Sequence, residues 1–529
     1  MNTAIEKYFQ IIIDELNFNH NTLTYVIQNY SIEALNLLYT ENDTSSKESA
    51  ENRFEEIALS SSTHIETAIF FYSAALAIRQ SLTIFESFLD YCLDNKENLS
   101  PSTLHYLYGQ FESIVFNTPH LSCTNAKIKI WRIFDYIASL YALSLKESLR
   151  PISERERNSK FVLVLTGQFL VFQHGPTKSA SDRCQILMNN MGKNVLLINT
   201  AELVSSVGAI PFINSKQANY NDALIDSEVV EWKSCKIPFF QCENNMPNIT
   251  TVQMLLSMIQ EQKPAFVLSI GGGGIVTALA SKLVPTLCIG MIPSDLSITG
   301  AQFQTLSHPL SDDDKILLQA TGRTENSVIT GIFGSSILSP TFQNTRENVG
   351  LPSETWLAAV VGGRLDSELT PDFWSMAEQA VARTGVEFVL IGVYNPENLK
   401  KVYASHPGLT DRIHYIGFVD NTLNYLDLCD LYINPIRRGG GTSCVEAMSL
   451  GIPVITTSYG DVAINAGESF QTDSYDTMVA RLDKYIHEPK LYQEHSQLAK
   501  KRASTLLNAE ASFVKVITDF QERAKCTLS

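Results

Sequence analysis

The residues best equipped for chemistry lie between Asp430 and Gly460, in the stretch DLYINPIRRGGGTSCVEAMSLGIPVITTSYG. The run Leu431-Tyr432-Ile433 reads as a short buried strand ending at Asn434-Pro435. A turn with Gly439, Gly440 and Gly441 follows, then Thr442 and Ser443, then a helix carrying Glu446 that stops at Gly451-Ile452-Pro453 before a strand from Val454 to Thr456. Glycines allow positive φ and close backbone approach to a ligand. A helix start presents free N–H groups and the positive end of a dipole. Gly440, Gly441, Thr442 and Ser443 therefore predict an anion cradle, with the two hydroxyls able to cap the helix or bond a phosphate oxygen. Arg437 and Arg438 add charge-assisted donors suited to a diphosphate. Glu446, one turn into the helix, can accept hydrogen bonds from ribose hydroxyls. The plainer reading is a helix entry whose glycines serve only the turn.

Four other loops lie at strand ends. Thr166 and Gln168 end one strand, and His174 follows just before a helix from about Ser179. His174 titrates near neutrality, so it suits general-base work or is an ordinary surface-loop histidine. Gly271 to Gly274 end another strand without the lysine of a Walker loop or the downstream acid of a dinucleotide fingerprint. Gly272 and Gly273 there mark close approach to a cleft ligand or to another domain, or simple tight packing. The segment Val360-Val361-Gly362-Gly363-Arg364-Leu365 brings Arg364 to a further strand end, and Gly417, Phe418 and Val419 form a loop able to receive a nucleobase. Asp312-Asp313-Asp314 reads as a solvated helix start, and no clustered Asp-x-Asp at a strand end calls for a metal.

These loops need elements to hold them. With 529 residues, 44% hydrophobic and 18% charged, the chain is a well-cored protein of several domains. Residues 1–155 read as an all-helical N-terminal domain, with helical periodicity at Ile65–Leu93, Leu104–Phe116 and Ile128–Leu149 and polar loops at Glu41–Glu51 and Asp94–Ser102. Pro151 to Arg157 reads as a linker. Then the period changes: Phe161–Leu165, Asn194–Ile198, Ala265–Ile270 and Leu287–Met291 predict a parallel sheet over 156–335. Trp356–Val361, Phe388–Ile391, His414–Ile416, Leu431–Ile433 and Val454–Thr456 predict a second over 336–510. The fold class is α/β: a pair of doubly wound, Rossmann-type domains behind an all-α domain, with a C-terminal helix at 511–529 packing back across them. The net charge of -16 argues against nucleic acid and anionic membranes as partners. No apolar run approaches the ~18 residues of a membrane span, and the N-terminus lacks a signal pattern. Nine cysteines without a CxxC pair fit a reducing, cytoplasmic setting.

The second α/β set resembles the nucleotide-sugar-binding half of GT-B glycosyltransferases, similar to family 4-like domains, over about residues 356–470. The motifs VGGRL, IHYIGFVDN and NPIRRGGGTSCVEAMSLGIPVITT carry the likeness. The resemblance implies that the glycine/Ser/Thr turn holds a donor diphosphate, Glu446 the ribose, Arg364 a phosphate, and that 156–335 binds the acceptor. It implies a nucleoside-diphosphate sugar, a UDP-sugar, as co-substrate, with no metal or other cofactor. Arg438 stands where many retaining members carry a glutamate, which leaves an inverting reaction open with His174 as base, and Asp366-Ser367-Glu368 stands where a lysine is common. By domain order the chain resembles bacterial cytoplasmic glycosyltransferases that modify adhesins, implying a soluble acceptor, protein or glycan. Polysaccharide or lipopolysaccharide assembly, sugar-nucleotide epimerisation, and an inactive partner or chaperone are the competing readings.

Overall fold

The structure, a computed structural model, describes residues 3–40, 43–172, 174–203, 219–331, 337 and 343–527; the boundary expected at 335/336 lies outside them. Two sheets carry the architecture. The first contains β1 (Asn158–Thr166), β2 (Asn194–Asn199), β3 (Val229–Trp232), β4 (Cys235–Gln241), β5 (Pro264–Ile270), β6 (Thr286–Ile289), β7 (Phe303–Leu306) and β8 (Val328–Thr330), in the order β3-β4-β2-β1-β5-β6-β7-β8. All its pairings are parallel except the β3–β4 hairpin. The second contains β9 (Leu357–Gly362), β10 (Glu387–Gly392), β11 (Ile413–Gly417), β12 (Leu431–Ile433), β13 (Val454–Thr457) and β14 (Gln471–Thr472), all parallel, in the order β11-β10-β9-β12-β13-β14. Both are open doubly wound sheets, so ligands belong where the winding reverses, beyond the strands' C-terminal ends. In the first sheet that point lies between β1 and β5; in the second it lies between β9 and β12. Four of the loops singled out by sequence leave these four strands; the fifth, at Gly417, leaves the edge strand β11.

The parallel strands are apolar almost throughout because helices cover both faces. Val360, Phe388 and Ile433 pack toward one layer of the second domain, while Val361, Val389 and Tyr432 pack toward the other. On the first sheet, one face builds its core with helix Ala509–Thr527, whose Phe513, Ile517 and Phe520 meet Phe266, Phe303 and Ile329. The opposite face shares a single core with the N-terminal helices, in which Trp131, Phe134 and Leu107 are continuous with Leu163, Val267 and Val276. The expected linker near Pro151 is therefore docked: Ile152 is buried and its N–H bonds the carbonyl of Leu283 at 2.8 Å.

Two helical expectations are corrected. The apparent helix Ile65–Leu93 is two, Ile65–Arg79 and Leu82–Asp94, broken at Gln80, which takes a left-handed conformation (φ 56°). The polar stretch Glu41–Glu51 is not a loop from Thr44 onward. Helix Thr44–Ser60 begins there because the Asp43 carboxylate caps the N–H groups of Ser45 and Ser46, and Ala50, Phe54, Ile57 and Ala58 supply a buried face. Asp312 to Asp314 open helix Asp312–Ala320 under a Ser311 cap.

The phenyl ring of Phe520, between Phe266 and Phe303 at centroid distances of 5.3 and 5.4 Å, is fully buried. Phe520→Ala is expected to destabilise the first sheet by about 3–5 kcal/mol, read as an earlier denaturation midpoint; a loss below ~1 kcal/mol would show that the C-terminal helix is not part of that core.

Candidate functional site

The glycine turn is built around a buried guanidinium. Arg437 donates from Nε to Asn434 Oδ1 (2.8 Å), from Nη1 to Glu368 Oε2 (2.6 Å), and from Nη2 to the Val361 carbonyl (2.7 Å) and Tyr432 hydroxyl (3.2 Å). These bonds tie the loop after β12 to the end of β9. They also differ from the role expected of Arg437: its donors are spent on the protein, so it shapes the cradle from behind. Gly440 takes φ 101° and precedes helix Gly441–Leu450, and no side chain caps that helix. Ser443 turns its hydroxyl back onto the Gly440 carbonyl (3.0 Å) and also meets the Tyr432 hydroxyl (2.9 Å). Thr442 is exposed. The first-turn N–H groups are thus left to the cleft, as an anion site requires.

Charged groups from both α/β domains gather at that helix end. Arg364, half-exposed, lies with Nη2 about van der Waals distance from Gly439: a Cβ there would stand 3.8 Å away. It donates to Glu368 Oε1 (3.1 Å), so Glu368 bridges Arg364 and Arg437, and Phe116 of the helical domain lies under its guanidinium at 4.6 Å. Burial of His174 and then the charge of Arg364 lower the histidine's pKa to about 4, so its ring is neutral at pH 7. Its Nδ1 contacts Thr177 Oγ1 at 3.3 Å. Glu446 is buried and accepts from the Thr422 hydroxyl at 2.5 Å. Burial raises its pKa, while Thr422 and then the charge of Lys178, which comes from the first domain, oppose the rise.

Arg438 turns away from the turn toward a three-way junction. Its Nη2 meets Ser122 Oγ of the helical domain and Asp295 Oδ2 of the first α/β domain, each at 2.6 Å. Asp295 also pairs with Lys127 at 2.9 Å, and Asp461 accepts from the Ser294 N–H and hydroxyl. Burial raises the pKa of Asp461 to about 7 and that of nearby Glu112 likewise to about 7.

The first domain's glycines have a different duty. A Cβ on Gly272 would lie 2.5 Å from the Ile298 carbonyl, and one on Gly273 2.6 Å from the Tyr108 hydroxyl. Both positions are thus close packing, Gly273 against the helical domain, rather than cleft wall. The start of helix Ile275–Ala280 beyond them is already occupied by a side-chain carboxyl: Glu202 Oε1 accepts from the N–H groups of Ile275 (3.0 Å) and Val276 (3.3 Å). Thr166 donates its hydroxyl to the Gln168 carbonyl (3.0 Å), and both residues are buried. Gly417 (φ 89°) ends the edge strand β11, with Phe418 exposed beside half-buried Val419.

Sequence reasoning missed Glu202, Lys178, Glu368, Asp295 and Phe116. Each acts on a partner far along the chain, and only Lys178 and Glu368, which flank quoted motifs, offered a local signal. Among the described residues no group of three or more His, Cys, Asp or Glu side chains is arranged to hold a metal, and no helix is long and apolar enough to cross a membrane.

Residues 361–486 match the family model "Glycosyl transferases group 1". A glycosyltransferase from Rickettsia africae is similar in structure at 12% identity, TM-score 0.51, over 70% of this chain and 99% of that one. An O-GlcNAc transferase mutant of Thermobaculum terrenum is similar at 11% identity, TM-score 0.50, over 100% of both chains. No curated protein matches the sequence significantly. The fold is therefore that of GT-B glycosyltransferases, and the segment similar to the group 1 model lies within its second α/β domain.

Burial raises the pKa of the Glu202 carboxyl to about 7, against the opposing pull of Thr200 and the two N–H groups. A raised carboxyl favours the fold below its ordinary range, and that contribution is lost as pH climbs through about 7. Glu202→Gln keeps an acceptor for the helix but does not titrate. Its melting temperature relative to the parent is expected to rise between about pH 5 and pH 8; a difference independent of pH would refute this account.

Proposed function

We propose that this chain transfers a sugar from a nucleoside-diphosphate sugar, a UDP-sugar, to a soluble acceptor. The observation that carries the reading is the uncapped start of helix Gly441–Leu450, with Arg364 at its mouth and Glu446 within it. The donor diphosphate lies on the N–H groups of Gly441, Thr442 and Ser443, Arg364 faces its outer oxygens, and Glu446 accepts from the ribose. The base rests against Gly417, Phe418 and Val419. As the bond between the anomeric carbon and the phosphate oxygen breaks, negative charge grows on the leaving diphosphate. Preset N–H groups and Arg364 stabilise that charge where it forms, which supplies the larger part of catalysis. These groups do the work without a metal, so chelators are expected to leave turnover unchanged.

The acceptor's nucleophile attacks the anomeric carbon and loses its proton to His174. In the tautomer whose Nδ1–H donates to Thr177 Oγ1, Nε2 is the nitrogen that accepts. The ring is a weak base alone because it is desolvated and faces Arg364. Donor binding sets a diphosphate against Arg364 and so raises the proton affinity of His174 when a base is needed. Inversion follows, since Arg438 occupies the place of a second glutamate and is bound to Ser122 and Asp295. A protein such as an adhesin, or a growing glycan, is the acceptor, bound in the cytoplasm by the first α/β domain and framed by the helical domain. The acidity of the chain and the lack, among described residues, of a membrane-length apolar helix support a soluble acceptor.

A panel of labelled nucleotide sugars tests the activity: transfer or hydrolysis supports it, epimer formation or no turnover refutes it. Glu446→Ala is expected to weaken donor use by about 10- to 100-fold, the value of hydrogen bonds to a charged group; full activity would remove Glu446 from the site. With donor saturating, kcat is expected to fall only toward acid pH, with a midpoint above the value of about 4 that His174 has in the free enzyme, and to drop by about 10²–10⁴ in His174→Ala; an unchanged rate would exclude His174 as base.

A further inference from the structure

Helix Pro101–Asn117 of the N-terminal domain runs along the mouth between the two α/β domains. Tyr108, Glu112 and Phe116 recur at four-residue steps and so share one face. Tyr108 meets Gly273 of the first domain, Glu112 lies in the charge field of Arg438, and Phe116 lies under Arg364 of the second. Of these contacts, the last reaches a group already placed at the anion cradle.

An arginine half-exposed at a strand end has many rotamers, and ordering it for each turnover is costly. Among the described residues the Arg364 guanidinium is held from two directions: by the Glu368 carboxylate, which it shares with Arg437, and by the ring face of Phe116. The carboxylate fixes one edge of the guanidinium but leaves its plane free to swing. The ring fixes the plane, since a guanidinium stacks flat on an aromatic face. The chain just past this helix is tied to the second domain as well, because Ser122, six residues beyond Phe116, accepts from Arg438.

We propose that Phe116 is a positioning residue for the transfer reaction: through its ring, the helical domain sets the plane of Arg364 toward the glycine turn and the spacing of Arg364 from His174. This rests on the reading of the cradle as a diphosphate site, and it makes the helical domain a part of donor binding as well as a frame for the acceptor.

The test compares Phe116→Leu, which keeps apolar bulk but has no ring face, with Phe116→Tyr, which keeps the face. Donor KM is expected to rise about five- to tenfold in Phe116→Leu and to stay near the parent value in Phe116→Tyr, with kcat changed less than KM. The second readout needs no turnover. The ring protons of His174, identified by their loss in His174→Gln, are titrated by NMR with and without inorganic pyrophosphate. In the parent and in Phe116→Tyr, pyrophosphate is expected to raise the His174 pKa; in Phe116→Leu the free enzyme's pKa is higher and the response smaller. Equal behaviour of the Leu and Tyr variants in both readouts overturns the proposal. If no nucleotide sugar is used, yet the His174 titration still separates Leu from Tyr, the positioning holds and the assignment of activity fails. If Phe116→Leu loses its helical circular dichroism, Phe116→Met replaces it under the same criteria.

Discussion

A guanidinium can be buried only if nearly all its N–H groups find acceptors, and Arg437 meets that condition by drawing together parts of the chain that are distant in sequence. Asn434, the Val361 carbonyl, Tyr432 and Glu368 converge on it from β12, from the end of β9 and from the short helix Leu365–Glu368. Removing any one acceptor would leave part of a charge stranded in the core. The network therefore dictates how the loops after β9 and β12 face one another across the switch point, and with them the direction in which helix Gly441–Leu450 aims its first N–H groups. Gly460 belongs to the same constraint: a Cβ there would lie 2.3 Å from the Arg437 carbonyl.

Much of the second domain was legible in the sequence, for a physical reason. Parallel strands buried on both faces need unbroken apolar runs, and Leu357 to Val361, Phe388 to Ile391 and Leu431 to Ile433 supply them. The first domain hid more. Strands β3 and β4 form an edge hairpin with one face exposed, and their two-residue turn, Lys233-Ser234, adopts positive φ at both residues without the Asn-Gly signature that announces such turns. Strand β7 is buried but contains Gln304 and Thr305; the Gln304 side chain accepts from the Ser297 N–H, so its polarity is satisfied where a sequence pattern reads it as loop.

The candidate site shows the same division. Gly440, Ser443, Arg364 and Glu446 were legible because a strand-to-helix turn is local, and its chemistry follows from spacing. Arg437 was visible as a charge but not as a buried strut, since that depends on Glu368 and Asn434 arriving from elsewhere. The second glycine run, Gly271 to Gly274, shows why a motif alone misleads. Its helix start is equally suited to an anion, but Glu202 fills it from within the protein, and Tyr108 and Ile298 close over the glycines. Of two similar turns, one on each side of the cleft, only the one without an internal carboxylate stands open.

The single core shared by the N-terminal helices and the first sheet bears on how the molecule moves. Those two parts form one rigid body, and helix Ala509–Thr527 belongs to it from the other side. Any opening of the cleft is then a hinge between this body and the second sheet, with the chain crossing between them once before Leu351 and once more near Asn508. The pairs Arg438–Asp295 and Asp461–Ser294 span the hinge, and so does the Phe116–Arg364 stack. Opening would cost the charge pairing and the orientation of the arginine together, so the mobility of the cleft and the readiness of its cation are set by the same few contacts.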